Sequence, residues 1–153
     1  QTMDVSSKQM KPIGNENRPA LPISKRLSAT GLRPTRQRLA LAALLFNGSD
    51  RHVTAEGLFD EAIAAQLSVS LATVYNTLHQ FTAAGLLREI AVDGAKVYFD
   101  TNVSEHHHFL NEETGELLDI DDGLMQLDKL PPSPKGLRVA RVDIVIRLRP
   151  DQL

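Results

Sequence analysis

The 153-residue chain contains no cysteine. That excludes disulfides, thiolate zinc sites and haem held by a Cys-Pro pair, so any metal site must be built from nitrogen and oxygen donors. No apolar run approaches the ~20 residues needed to cross a bilayer. The N-terminal stretch QTMDVSSKQMKPIGNENRPALP lacks the apolar core of a secretory signal. The expectation is a cytoplasmic protein with no membrane partner, either one ordinary domain or two small ones sharing an interface. Histidine is scarce as well, five in all, yet His106, His107 and His108 are consecutive.

Neutral imidazole is the commonest nitrogen ligand for divalent transition metals and for haem iron. Alternate side chains of a strand point to opposite faces, which would put His106 and His108 on one side and His107 on the other. Iron, manganese, zinc and haem all fit such a pair. A polar loop or a tag remnant is the plainer alternative, and the internal position argues against a tag. His-x-His near carboxylates also occurs in metal-dependent hydrolases. No further convergent catalytic set is present, so a non-enzyme is expected.

Charge is unevenly spread. Residues 1–90 hold ten Lys/Arg and seven acids, and residues 91–153 hold seven against twelve. Within the acid-free fourteen residues 25–38 lie Lys25, Arg26, Arg33, Arg36 and Arg38. This is a footprint for an anionic partner, or else a solvated helix face.

Residues 1–23 are polar, have no hydrophobic period and read as a flexible arm. Ser24, Thr35, Thr54 and Ser70 then stand as N-caps of four helices. Their expected apolar positions include Leu39, Ala42, Ala43 and Phe46 in the second and Leu58, Phe59 and Ile63 in the third. In the fourth they are Leu71, Val74, Leu78 and Phe81, and Ala72, Thr73, Tyr75, Asn76 and His79 form its other face. Residues 87–92 and 95–99 around Asp93-Gly94 predict a hairpin. Helices followed by a two-stranded ribbon describe a winged helix over residues 24–99, whose last helix would enter a DNA major groove. A helical core domain with one polar face is the alternative.

Residues 100–153 predict a second hairpin, 107–110 with 116–120, turning at Gly115. A helix over Gly123–Leu130 and a strand from Ala140 to Arg149 should follow. Asp121 and Asp122 read as helix-capping charges. So small a unit buries too little apolar area alone, which points to a homodimer.

Four motifs occur in order: Gly31-Leu32-Arg33-Pro34-Thr35-Arg36-Gln37-Arg38, His52-Val53-Thr54-Ala55-Glu56, Ser70-Leu71-Ala72-Thr73-Val74-Tyr75-Asn76-Thr77-Leu78, and the histidine triplet. Over about residues 24–121 the chain resembles the ferric uptake regulator family, and most closely its iron response regulator branch. The resemblance implies an α+β fold with an N-terminal winged helix and a C-terminal α/β dimerisation and sensing domain at 100–153. It implies DNA contacts from Arg33, Arg36, Arg38, Ser70, Thr73, Tyr75 and Asn76 to an A·T-rich, roughly palindromic duplex. It also implies a metal site of His52, Asp100, His106, His108 and Asp119, with haem, where bound, at His106, His107 and His108. Asn111 and Thr114 replace a Cys-x-x-Cys of many relatives, so no cysteine-ligated structural zinc is expected. The implied role is a regulator of iron homeostasis and haem synthesis, active at low iron and inactivated by haem or iron. A regulator with Fe, Mn or Zn as corepressor is the alternative.

Overall fold

The computed structural model describes residues 22–93, 96–121 and 123–152. The N-terminal arm up to Leu21, the Gly94 turn and the Asp122 cap therefore lie outside the described residues. None of the described helices is long and apolar enough to cross a membrane.

Helix α1 spans Ile23–Ala29 and α2 spans Arg36–Leu45. The first begins two residues earlier than expected, with Pro22 rather than Ser24 at its N-cap. Proline fixes φ, and its carbonyl accepts the amides of Lys25 and Arg26, so no side-chain cap is needed. Thr35 does cap α2, accepting the Arg38 amide. Leu41, Ala42 and Leu45 are its buried residues, and Ala43, expected inside, is exposed. The stretch Leu39–Phe46 is apolar throughout, so periodicity alone could not choose its inner face.

Strand β1, His52–Val53, precedes α3, Ala55–Ala64, which Thr54 caps. Ala55, Leu58 and Ala62 face the core, but Ile63 is 51% exposed because the helix buries its 55–58–62 stripe. Ser70 caps α4, Leu71–Ala83, and Val74, Thr77, Leu78 and Phe81 are buried along it. Strands β2, Arg88–Asp93, and β3, Lys96–Asp100, close the unit. They form an antiparallel sheet of order β1-β3-β2. Leu87 and Phe99 join the helices in one core.

The second sheet contains β4, His108–Asn111, β5, Leu117–Asp119, and β6, Val145–Leu148. Its order is β5-β4-β6, with β4 antiparallel to β5 and parallel to β6. The turn between β4 and β5 is held by Asn111, whose Oδ1 accepts the amides of Glu113 and Thr114 at 3.0 and 3.3 Å. An asparagine side chain thus closes the turn at the position where a cysteine pair was noted as missing. Ile90 and Tyr98 from the wing pack with Leu110 and Leu117 in a second core that joins the two sheets.

Two expectations fail after β5. Gly123–Leu130 is not helical. Leu124, Leu127 and Leu130 are 74%, 43% and 49% exposed. With no surface to bury an apolar face, eight residues are too few to sustain a helix. The final strand covers only Val145–Leu148, not 140–149, because four-residue β4 offers ladder partners to those four residues alone.

Candidate metal centre and nucleic-acid face

Two cross-strand pairs build most of the candidate site. In the first sheet His52 lies opposite Asp100, and in the second His108 lies opposite Asp119. Directly opposed residues project from the same face of a ladder, so each register pair sets an imidazole beside a carboxylate. The loop from β3 to β4 adds His106. Asn102 donates its amide to Asp100 Oδ1 at 2.9 Å, and Ser104 donates its amide and hydroxyl to Asn102 Oδ1. These turns fold the loop back until His106 reaches the same point.

The five side chains that the sequence singled out are brought together, with one donor atom from each lying within 4.8 Å of every other. Asp100 Oδ2 stands 3.1, 2.8 and 3.1 Å from the Nε2 atoms of His52, His106 and His108. Asp119 Oδ1 stands 2.8, 3.2 and 3.2 Å from the same three atoms. Three nitrogens therefore form a girdle between two oxygens. Two donors that each lie about 2.1 Å from one shared ion, at about a right angle, would be about 3.0 Å apart, so these side chains fit a common cation. Asp100 is wholly buried and His106 and His108 nearly so, while Asp119 is 39% exposed and opens the site to water.

The electrostatics agree with a cation at the centre. Two carboxylates and three neutral imidazoles sum to a charge that one divalent ion balances. His106 donates Nδ1–H to the Ser104 carbonyl at 2.7 Å, which directs its Nε2 lone pair inward. Burial works against a charged Asp100, but hydrogen bonds from His108 and His52 outweigh it and hold the carboxyl well below the usual range. Burial likewise opposes protonation of His52, yet Asp100 and Asp119 overcome it and raise that imidazole's pKa. A proton can thus occupy the space that a cation would fill.

His107 points elsewhere. Its Nδ1 accepts the Ile144 amide at 3.1 Å and helps seat the segment leading into β6. The histidine triplet is therefore divided, with its outer members in the cluster and its middle member on the backbone.

The residues expected to face DNA differ in their exposure and in the partners they already hold. Arg33, Arg36 and Asn76 are exposed. Ser70 Oγ caps α4 by accepting the Thr73 amide and lies 2.9 Å from Thr73 Oγ1. Arg38 is committed within the fold: its Nε and Nη2 donate to Gln80 Oε1, and its Nη1 donates to the Arg33 carbonyl. Tyr75 donates its hydroxyl to Glu56 Oε1 at 2.5 Å. The interaction of Tyr75 with Glu56 had no sequence signal, since nineteen residues and a loop separate them. Arg88 is a second omission. It is buried opposite Asp100 in the β2–β3 ladder; a tight Asp93-Gly94 turn would have set Phe99 opposite it, and a register shift between Ala91 and Asp93 moves the pairing by one residue.

Comparison with known proteins fits this architecture. The chain is 34% identical over 115 residues to the peroxide operon regulator of Bacillus subtilis, a match covering 74% of this chain and 79% of that one. It is 36% identical over 97 residues to the ferric uptake regulation protein of Pseudomonas aeruginosa, covering 63% and 72%. The solved structure of the ferric uptake regulator from Pseudomonas aeruginosa with manganese superposes with a TM-score of 0.65 at 27% identity, covering 84% of this chain and 98% of that one. The model of the ferric uptake regulator family matches residues 29–146, and this chain belongs to that family.

Proposed function

We propose that this protein is a DNA-binding transcriptional regulator whose DNA affinity is set by a divalent ion held by His52, Asp100, His106, His108 and Asp119. The observation that carries this reading is the set of six oxygen–nitrogen distances between 2.8 and 3.2 Å. Three imidazoles and two carboxylates suit Fe²⁺, Mn²⁺ or Zn²⁺. His52 and Asp100 belong to the sheet of the winged helix, and His108 and Asp119 to the second sheet. An ion shared by the two sheets favours one relative orientation, and a palindromic duplex read by a homodimer favours one as well. A coupling of ~1–3 kcal/mol between the two ligands alters DNA affinity about 5- to 150-fold.

A second reading keeps the sign implied by the iron response regulator branch, in which haem or iron weakens DNA binding and the protein acts when iron is scarce. The supporting observation is a cavity of about 500 Å³ beside His107, lined by Met125, Leu127, Leu130, Val139 and Arg141 among others. Its lining mixes those apolar side chains with Arg141, His107 and the acids Glu105 and Asp121, and the His107 imidazole is the group there suited to haem iron.

Fluorescence anisotropy of an A·T-rich palindromic duplex, at fixed salt, tests both readings. Mn²⁺ and haemin are titrated separately against the wild type and the His106→Ala/His108→Ala variant. A Mn²⁺-dependent change in affinity that disappears in the variant supports the metal reading, and no change in the wild type overturns it. Loss of binding with haemin that is abolished by His107→Ala supports the second reading; indifference to haemin removes it.

A further inference from the structure

Arg88 is 4% exposed, and its guanidinium is spent on three partners. Nη1 donates to the Ser104 carbonyl at 2.8 Å and, more weakly, to the His106 carbonyl at 3.4 Å. Nη2 donates to Asp143 Oδ1. The Ser104 carbonyl is also the acceptor of the His106 Nδ1–H. One backbone oxygen thus joins a buried arginine to a ligand histidine. Asp143 belongs to the segment entering β6, and its other oxygen accepts from Arg141 Nε at 2.7 Å.

Stability alone gives a poor account of this arrangement. Arg88 Nε is buried with no hydrogen-bond partner, and a buried ion pair usually yields to an apolar replacement without loss. What Arg88 supplies is direction. A planar guanidinium can grip the Ser104 carbonyl and the Asp143 carboxylate at once, which a lysine ammonium does with less geometric definition. Such outer partners fix the ring orientation and tautomer of metal-bound histidines.

We propose that Arg88, held by Asp143, is a positioning residue that fixes the His106 ring as a metal ligand through the Ser104 carbonyl. The inference rests on the metal reading above for its consequence, but its geometric content does not need the metal. The C-terminal segment thereby reaches the metal centre without touching the ion.

The test uses the full chain with ¹⁵N-labelled histidine and the variants Asp143→Asn, Arg88→Lys and Arg141→Gln. Asp143 is 38% exposed at its side chain, so Asp143→Asn is the variant expected to fold normally, as checked by far-ultraviolet circular dichroism. In the metal-free wild type, His106 should show a downfield, slowly exchanging Nδ1–H signal. Asp143→Asn and Arg88→Lys should broaden or lose it and weaken Co²⁺ binding by about tenfold or more. Arg141→Gln, which leaves the Arg88 bonds in place, should change neither.

An unaltered Nδ1–H signal in both Asp143→Asn and Arg88→Lys overturns the proposal. So does an Arg141→Gln effect as large as that of Asp143→Asn. Failure of the wild type to bind Co²⁺ would sink the metal reading by itself, and the Nδ1–H signal would still decide whether Arg88 positions His106.

Discussion

His52 Nε2 and Asp119 Oδ1, 67 residues apart in sequence, lie 2.8 Å from each other across the gap between the two sheets. Together with the Asp100 contacts to His106 and His108, this pair makes the cluster a bridge: each carboxylate touches imidazoles from both sides of the gap. Under the proposed metal reading, a ligand at that point would act on the relative placement of the helical unit and the second sheet.

Asp100 is the most buried of the five donors, and its Oδ2, like Oδ1 of the more exposed Asp119, meets all three imidazoles. Asp100→Asn keeps the size but removes the charge. Loss of an outer partner weakens metal binding by about 10- to 100-fold, so loss of this carboxylate should cost more than about 100-fold. Competition with a chromogenic chelator for Co²⁺ measures it, and unchanged affinity would remove Asp100 from the ligand set.

Proton and metal compete for the cluster, and the sign follows from His52. Its pKa is raised above 6.5 in the folded protein. The His52–carboxylate contribution to metal-free stability is therefore fully present below pH 6.5 and is lost as pH rises through the folded pKa. Above that range the His52 imidazole is free for metal. The rise in Tm on adding Mn²⁺ should be larger at pH 8 than at pH 6, as read by differential scanning calorimetry; the reverse order would count against the cluster as a metal site.

Tyr75 and Glu56 meet on the face where α4 would approach DNA, and Glu56 places a negative charge there. Glu56→Gln removes that charge while keeping an acceptor for the tyrosine. DNA affinity at low salt should rise about threefold, and the gain should shrink as salt increases. Anisotropy at two salt concentrations checks this, and an unchanged affinity would place the Tyr75 edge of α4 away from the phosphates.

Phe81 is fully buried where α4 meets the helical core, and its ring lies 6.4 Å from that of Phe46. Phe81→Ala should destabilise the fold by about 3–5 kcal/mol through lost burial and the cavity left behind. Urea denaturation followed by circular dichroism measures the loss. A cost under about 1 kcal/mol would mean that the core refills around the gap.

Much of the helical unit was legible from caps and turns. Thr35, Thr54 and Ser70 carry caps readable as single residues, because a hydroxyl before an apolar period satisfies amides that the helix cannot. The inner faces of α2 and α3 were less legible, since a run of small and aliphatic residues fits several rotations. Ala43 and Ile63 fell on the wrong side for that reason. The C-terminal segment misled in a different way. Alternation over Ala140–Arg149 is a property of the chain, whereas a strand needs a partner, and β4 supplies only four residues.

The sequence by itself determined which side chains could take part: without cysteine, any site had to use imidazole and carboxylate, His106 and His108 could be paired from their spacing, and His52, Asp100 and Asp119 were named by family resemblance alone. Tertiary structure alone decided that their donor atoms converge, that His107 turns to the Ile144 amide, and that Arg88 and Asp143 stand behind His106. The physical reason is range. Caps, turns and alternation are local properties of a few neighbouring residues, but convergence depends on strand register and on the packing of Ile90 and Tyr98 against Leu110 and Leu117, which bring two separate sheets face to face.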